Sequence, residues 1–280
     1  MKKFIVQSAQ TLKDFTDENY PQGSFAFSRL LREKEVRVNG VKTGENVLLR
    51  AGDEVTYFTT QKEENRPFYK ILYEDENILV ADKYAGVNTE GLAAHLREKY
   101  GARPVHRLDR NTSGVMIFAR NETAEKLLLE AFRSRRVQKI YEAICFHPFV
   151  SPHEVLTAYL KKDAKAAKVF VYATPRAGAE TIRTEYIALA EYGEYSLVKI
   201  ILHSGKTHQI RAHMAFAGHP VAGDEKYGDE SLNKKYRIRR QILVAKSLSF
   251  DFDSGALAYL RGKTFVSSFS AQMPEQNTEN

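Results

Sequence analysis

Short runs of apolar and β-branched residues recur along the chain, some alternating with polar positions and some unbroken, and each reads as a strand. They are Ile71 to Tyr73, Ile78 to Ala81, Val115 to Ala119, Ile140 to Phe146, Thr184 to Leu189, Leu197 to Leu202 and Leu243 to Phe250. Glu122 to Arg135 has the helical period instead, with Asn121 as N-cap, Leu127, Leu128, Ala131 and Phe132 on one face, and Arg133, Arg135 and Arg136 near its negative end. Long strands with few regularly spaced helices predict an α+β fold rather than a doubly wound sheet.

The first 60 residues read as a separate unit. Phe4 to Phe15 is a short amphipathic start, and after the turn at Pro21-Gln22-Gly23 the pattern predicts a helix over 28–35, with Ser28 as N-cap and Leu30 and Leu31 as its stripe. Val36 to Gly40 alternates and ends in Asn-Gly, a hairpin signal, and Val47 to Val55 supplies another strand and turn. Residues 61–67 are polar, charged and closed by Pro67, so they read as a linker. The predicted organisation is a small unit over 1–60, a linker over 61–67, a large domain over 68–270 and a disordered tail over 271–280.

Composition narrows the class. With 280 residues, 43% hydrophobic and 28% charged, the chain is neither fibrous nor disordered. Its single cysteine, Cys145, excludes an intramolecular disulfide and a Cys-rich metal cluster; in the apolar run Tyr141 to Phe146 it reads as a buried thiol. The N-terminus turns polar too early for a signal peptide, and no apolar run approaches the ~20 residues needed to span a bilayer, so a cytoplasmic protein is expected. The net charge is +7, yet residues 1–66 hold 11 basic and 10 acidic residues, which leaves +6 to the remainder. Three basic clusters lie there, Arg133 to Arg136, Lys161 to Lys168 and Lys234 to Arg240, and together they point to a polyanion such as nucleic acid.

Two segments concentrate chemistry. His106-Arg107-Leu108-Asp109-Arg110-Asn111-Thr112-Ser113-Gly114 sets a carboxylate between two arginines, which favour its charged form. A salt-bridged turn explains the same residues. The second segment runs from His203 to Pro220 and is closed by Gly223 to Gly228. Gly205-Lys206-Thr207 lacks the earlier glycine of a phosphate-binding Walker loop, since Ile200 stands there. Four histidines raise a zinc site and with it a metal-dependent hydrolase, but His208 and His213 are five apart with no Glu between them, so no metal is expected. Contact with a polyanion through Lys206, Arg211 and the amides of a helix opened by Thr207 needs no special spacing.

His106 to Gly114 closely resembles the signature loop of the RluA-type pseudouridine synthases. Tyr73 to Gly86 is similar to that family's opening segment, with Tyr84 where the family usually has Pro; Lys139-Ile140-Tyr141 resembles its second motif and Gly205 to His213 its third. Residues 1–60 are similar to a small RNA-binding module of ribosomal proteins and RNA-modifying enzymes, with Glu35 where a glycine is common. The resemblance implies a pseudouridine synthase fold, with a central mixed, mostly antiparallel sheet flanked by helices, plus a small N-terminal α/β module. It implies isomerisation of uridine to pseudouridine in ribosomal or transfer RNA, with no cofactor and no metal. Asp109 is the implied essential carboxylate, Arg211 its partner and Tyr141 the ring that stacks on uracil. Arg107, Arg110, Lys206 and His208, with Arg29 and Arg37 of the small module, are the implied RNA contacts. A monomer without an obligate protein partner is expected. The alternative is a non-catalytic RNA-binding or ribosome-assembly factor that keeps the fold.

Overall fold

The computed structural model of the chain describes residues 1–65, 67–163 and 165–274. It divides into two compact units, Met1–Phe68 and Tyr69–Asn280.

In the first unit, strands Lys2–Ile5, Glu54–Tyr57, Val36–Val38 and Val41–Lys42 form a sheet in that order. Asn39 and Gly40 both take positive φ, 51° and 79°, and close the predicted hairpin with the twist that suits antiparallel strands. Helices Leu12–Asn19 and Ser24–Arg32 pack Leu12, Phe15, Phe27 and Leu30 against Val36, Val55 and Tyr57. The second helix begins four residues before the predicted Ser28, capped at Gly23 (φ 53°), because Ala26 and Phe27 already belong to the buried face. Its end is a Schellman turn: the Glu35 amide donates to the Leu30 carbonyl at 2.9 Å and the Lys34 amide to Leu31 at 3.2 Å. Lys34 takes the left-handed conformation (φ 54°) that a glycine would adopt more cheaply. Within the segment read as a linker, Gln61–Glu64 is a helical turn with a capping box between Thr60 and Glu63; Arg66 lies outside the described residues.

In the second unit, eleven strands of the described residues form one sheet, and the seven predicted strands lie inside Tyr69–Glu74, Ile78–Lys83, Ser113–Ala119, Val137–Phe146, Glu180–Glu191, Tyr195–Leu202 and Leu243–Phe250. Ser113–Ala119 runs parallel to Leu243–Phe250, and the other ladders among the described residues are antiparallel. The parallel pair comes so close at Gly114 that a β-carbon there would sit 2.2 Å from the Ala245 carbonyl oxygen, so Gly114 (φ 117°) is required by both space and conformation.

Two helices flank the middle of the sheet. Glu122–Arg133 starts where Asn121 accepts the Ala124 amide at 2.8 Å, as the capping pattern predicts. Ala124, Leu128 and Ala131 are buried against Val115 and Ile117, and burying a leucine fully stabilises by about 1.5–3 kcal/mol. Gln209–Phe216 packs Ile210 and Met214 on Tyr186, Val198 and Ile200. It opens two residues after Thr207, because His208 takes a left-handed conformation (φ 53°). Ala271, read as part of the tail, is buried beside Val244 and its amide donates to Glu142 at 3.4 Å, so order extends past 270; residues 275–280 of that tail lie outside the described residues.

Candidate active site

The loop between strands Arg103–Pro104 and Ser113–Ala119 carries Asp109, and it is held at three points. The Thr89 hydroxyl donates to the Leu108 carbonyl at 2.7 Å, Lys83 Nζ donates to the Arg110 carbonyl at 3.1 Å, and the Gln241 amide donates to the Thr112 hydroxyl at 2.8 Å. Lys83 is fully buried and also donates to the carbonyls of Tyr84 (3.2 Å) and Val87 (2.9 Å). His106 fixes the loop's entry: the Ile117 amide donates to its Nε2 at 3.0 Å and its ring stacks on Phe132 at 4.6 Å. Burial, reinforced by the charge of Lys139, pushes His106 down to about 3, so the imidazole is neutral.

Burial also pushes Lys83 down, to about 7 from 10.5, with the Asp109 charge opposing the shift. The unfolded chain keeps this proton up to about 10.5 and the folded chain only to about 7, so between those values the unfolded state binds more protons and stability rises with pH. Relative to a Lys83→Met variant, the native chain is expected to gain up to ~1.4 kcal/mol per pH unit above pH 7. Urea unfolding of both proteins from pH 6 to 10 measures it, and a flat difference contradicts the assignment.

Across the cleft Arg211 faces Asp109. Its Nη1 donates to Asp109 Oδ2 at 3.1 Å, while Nε and Nη2 donate to the two oxygens of Asp224 at 2.6 and 2.9 Å. Asp224 is wholly enclosed and also accepts the amides of Lys226 and Tyr227, at 2.8 and 3.1 Å. Although burial works against its charge, these bonds hold its carboxyl below the usual range. His208 completes the wall. The Tyr227 hydroxyl accepts the Val169 amide at 2.9 Å and lies 3.0 Å from His208 Nδ1, while His208 Nε2 lies 3.9 Å from Asp109 Oδ2. Asp109 meets Arg211 and His208 through Oδ2, and no hydrogen bond reaches its Oδ1 among the described residues.

Asp109, His208 and Arg211 line a cavity of about 400 Å³, with Tyr141, Leu202 and Leu243 on its sheet side. Burial, and after it the charge of Asp109, pushes the Tyr141 phenol well up, so it is un-ionised at neutral pH. Arg107, Lys206 and His208 border the same cavity, and Arg110 borders a second one of about 260 Å³ beside it. Arg29 and Arg37 belong to the first unit, where Arg29 is ion-paired with Glu35 and with Glu33 (3.6 Å), and Arg37 lies over the Phe58 ring at 4.4 Å. The four histidines of the second motif have four separate partners: His203 pairs with Glu185 (2.7 Å), His208 with Tyr227, His213 with Thr184 (2.9 Å), and His219 stacks on Phe149 (3.8 Å). Cys145 is buried and its thiol is pushed up by burial.

Lys83, Thr89, Asp224 and Gln241 are the positioning residues that the sequence reading missed. Lys83 and Asp224 lie within the segments Tyr73 to Gly86 and Gly223 to Gly228, but nothing in their neighbouring residues says that either is sealed from water.

A carboxylate and a guanidinium thus face each other beside a tyrosine at the middle of a mostly antiparallel sheet, the arrangement expected from the RNA-modifying family that the sequence resembles. Residues 77–216 match the model of the RNA pseudouridylate synthase family, and the chain belongs to that family. It is an enzyme that isomerises uridine to pseudouridine, which favours catalysis over the non-catalytic alternative. It is 30% identical to the ribosomal large subunit pseudouridine synthase C of Vibrio cholerae, over 79% of this chain and 78% of that one. It is 31% identical to the ribosomal large subunit pseudouridine synthase D of Borreliella burgdorferi, over 80% and 72%. Among solved structures, human RNA pseudouridylate synthase domain containing 1 superposes with a TM-score of 0.59 at 27% identity, covering 67% of this chain and 80% of that chain. Among the described residues, no helix is long and apolar enough to cross a membrane.

Proposed function

We propose that the protein converts uridine to pseudouridine in large-subunit ribosomal RNA, with Asp109 as the essential carboxylate. The observation that carries the role is Asp109 lining the same cavity as Tyr141, with Arg211 bound at Oδ2 and no hydrogen bond at Oδ1 among the described residues. In the reaction the bond between the ribose and ring nitrogen 1 breaks, the uracil turns, a bond to carbon 5 forms, and the carbon 5 proton leaves. Oδ1 is suited either to attack on carbon or to proton abstraction from the sugar. Tyr141 supports the base by stacking; as a neutral phenol it is a hydrogen-bond donor rather than a ready base. The uridine must leave its stack to reach Asp109, at a cost of a few kcal/mol, which contacts to the RNA backbone offset. Arg107, Arg110, Lys206 and His208 at the rim are assigned to those contacts.

The names of the Vibrio and Borreliella relatives support the ribosomal target, and that target in turn supports a cytoplasmic protein. Incubating the purified protein with unmodified large-subunit RNA and, separately, with transfer RNA, then mapping pseudouridine in each, tests the reading. New pseudouridine in ribosomal RNA supports it, and modification of transfer RNA alone redirects it.

In the small unit, Arg37 is assigned to RNA and Arg29 to the helix end, because Arg29 is partly buried in its pair with Glu35 (side chains 22% and 17% exposed), unlike the exposed pair of Arg107 with Glu90 at the rim. Arg29→Ala is expected to lower stability by about 1 kcal/mol or less and leave RNA affinity unchanged, whereas Arg37→Ala weakens RNA binding. Filter binding and thermal melts on the two variants distinguish these roles.

A further inference from the structure

The cations along the 400 Å³ cavity are nearly all matched by carboxylates. Arg107 pairs with Glu90 at 2.9 Å, Arg133 with Glu130, Lys206 with Glu180, and Arg211 with Asp109 and Asp224. Lys139 is the exception. It lines the cavity, is partly buried, and has neither an ion-pair nor a hydrogen-bond partner among the described residues. An unmatched charge in a partly desolvated position lowers stability, so a site that keeps one has an anion to receive. Burial, with Arg135 adding to it, presses down on the Lys139 ammonium in the empty cleft, and an arriving anion would relieve that.

Its placement says which anion. Lys139 and Tyr141 lie two residues apart on one strand. The register slip beside them puts the extra residue, Lys246, on the neighbouring strand, so the alternation of Lys139 and Tyr141 is unbroken and both face the cavity. Side chains so spaced are about 6–7 Å apart, close to the span of one nucleotide. The ammonium rests over the backbone of Gly205, where a β-carbon would come within 3.2 Å of Nζ. It thus lies at the loop that leads into the Arg211 helix.

We propose that Lys139 binds a phosphodiester group of the RNA adjoining the flipped uridine, fixing the nucleotide along the line from Tyr141 to Asp109. This rests on reading the cavity as the uridine site. A primary ammonium suits the role, as a compact charge on a flexible stem that follows one phosphate oxygen.

The test uses the full chain and the ribosomal RNA fragment in which the native protein forms pseudouridine; if it forms none, the uridine-site reading fails and not the Lys139 assignment. Affinity for that fragment is measured against salt for the native chain, Lys139→Met and Lys139→Arg. Lys139→Met is expected to bind about tenfold more weakly at low salt, with the slope of log affinity against log salt reduced by about 1, and Lys139→Arg to recover the slope. A Lys139→Met slope equal to the native one overturns the proposal, as does failure of Lys139→Arg to restore a lost slope. Thermal melting of Lys139→Met accompanies the series, and a melting point at or above the native value is expected because an unmatched charge has been removed.

Discussion

Asp109→Asn is expected to bring pseudouridine formation below detection while the protein still folds and binds RNA. The amide has the size of the carboxylate and keeps one oxygen to accept the Arg211 Nη1 hydrogen bond at 3.1 Å, so the loop pinned by Thr89, Lys83 and Gln241 has no reason to move. What disappears is the negative charge, and with it both nucleophilic attack and proton abstraction. Melting temperature and RNA affinity are read alongside product formation. An Asp109→Asn protein that still makes pseudouridine at the native rate removes Asp109 from the mechanism.

Asp224→Ala is expected to damage stability and turnover together. Asp224 takes two hydrogen bonds from Arg211 and two from backbone amides, and no part of its side chain reaches water. Removing it strands a buried guanidinium, and breaking a buried pair in this way costs about 3–5 kcal/mol. Arg211 is then left with Asp109 as its one carboxylate partner among the described residues and can turn to engage Oδ1 as well as Oδ2. A misplacement of this kind costs about a hundredfold in rate. Urea unfolding gives the first effect and single-turnover kinetics the second. A variant with native stability and native rate would show that Asp224 does not anchor Arg211.

Local rules carried far along this chain where the signal was local. Asn121 capped its helix and Asn39-Gly40 made its hairpin, since each rests on a few adjacent residues. The helix Thr89–Tyr100 is hard to read from sequence because its buried apolar positions are few, Leu92, Ala93 and Leu96, and Gly91 interrupts its first turn. The strand His153–Asp163 was missed for a related reason: it lies near the sheet's edge, where few of its side chains are buried and its pattern is correspondingly weak.

The sequence by itself determined the class of fold, the strands through the middle of the sheet and the loop that presents Asp109, because hydrophobic period and motif spacing are written in neighbouring residues. Tertiary structure decided which charges remain available. Asp109 and Arg211 meet across 102 residues, and only their packing shows that Asp224 shares Arg211. The net charge of +7 suggested a polyanion, and packing shows that most cations at the cavity have a carboxylate beside them, exposed ones at the rim included, whereas Lys139 has none among the described residues. Whether a charge finds a partner depends on side chains brought together from distant segments at hydrogen-bond range, and no local pattern encodes that distance.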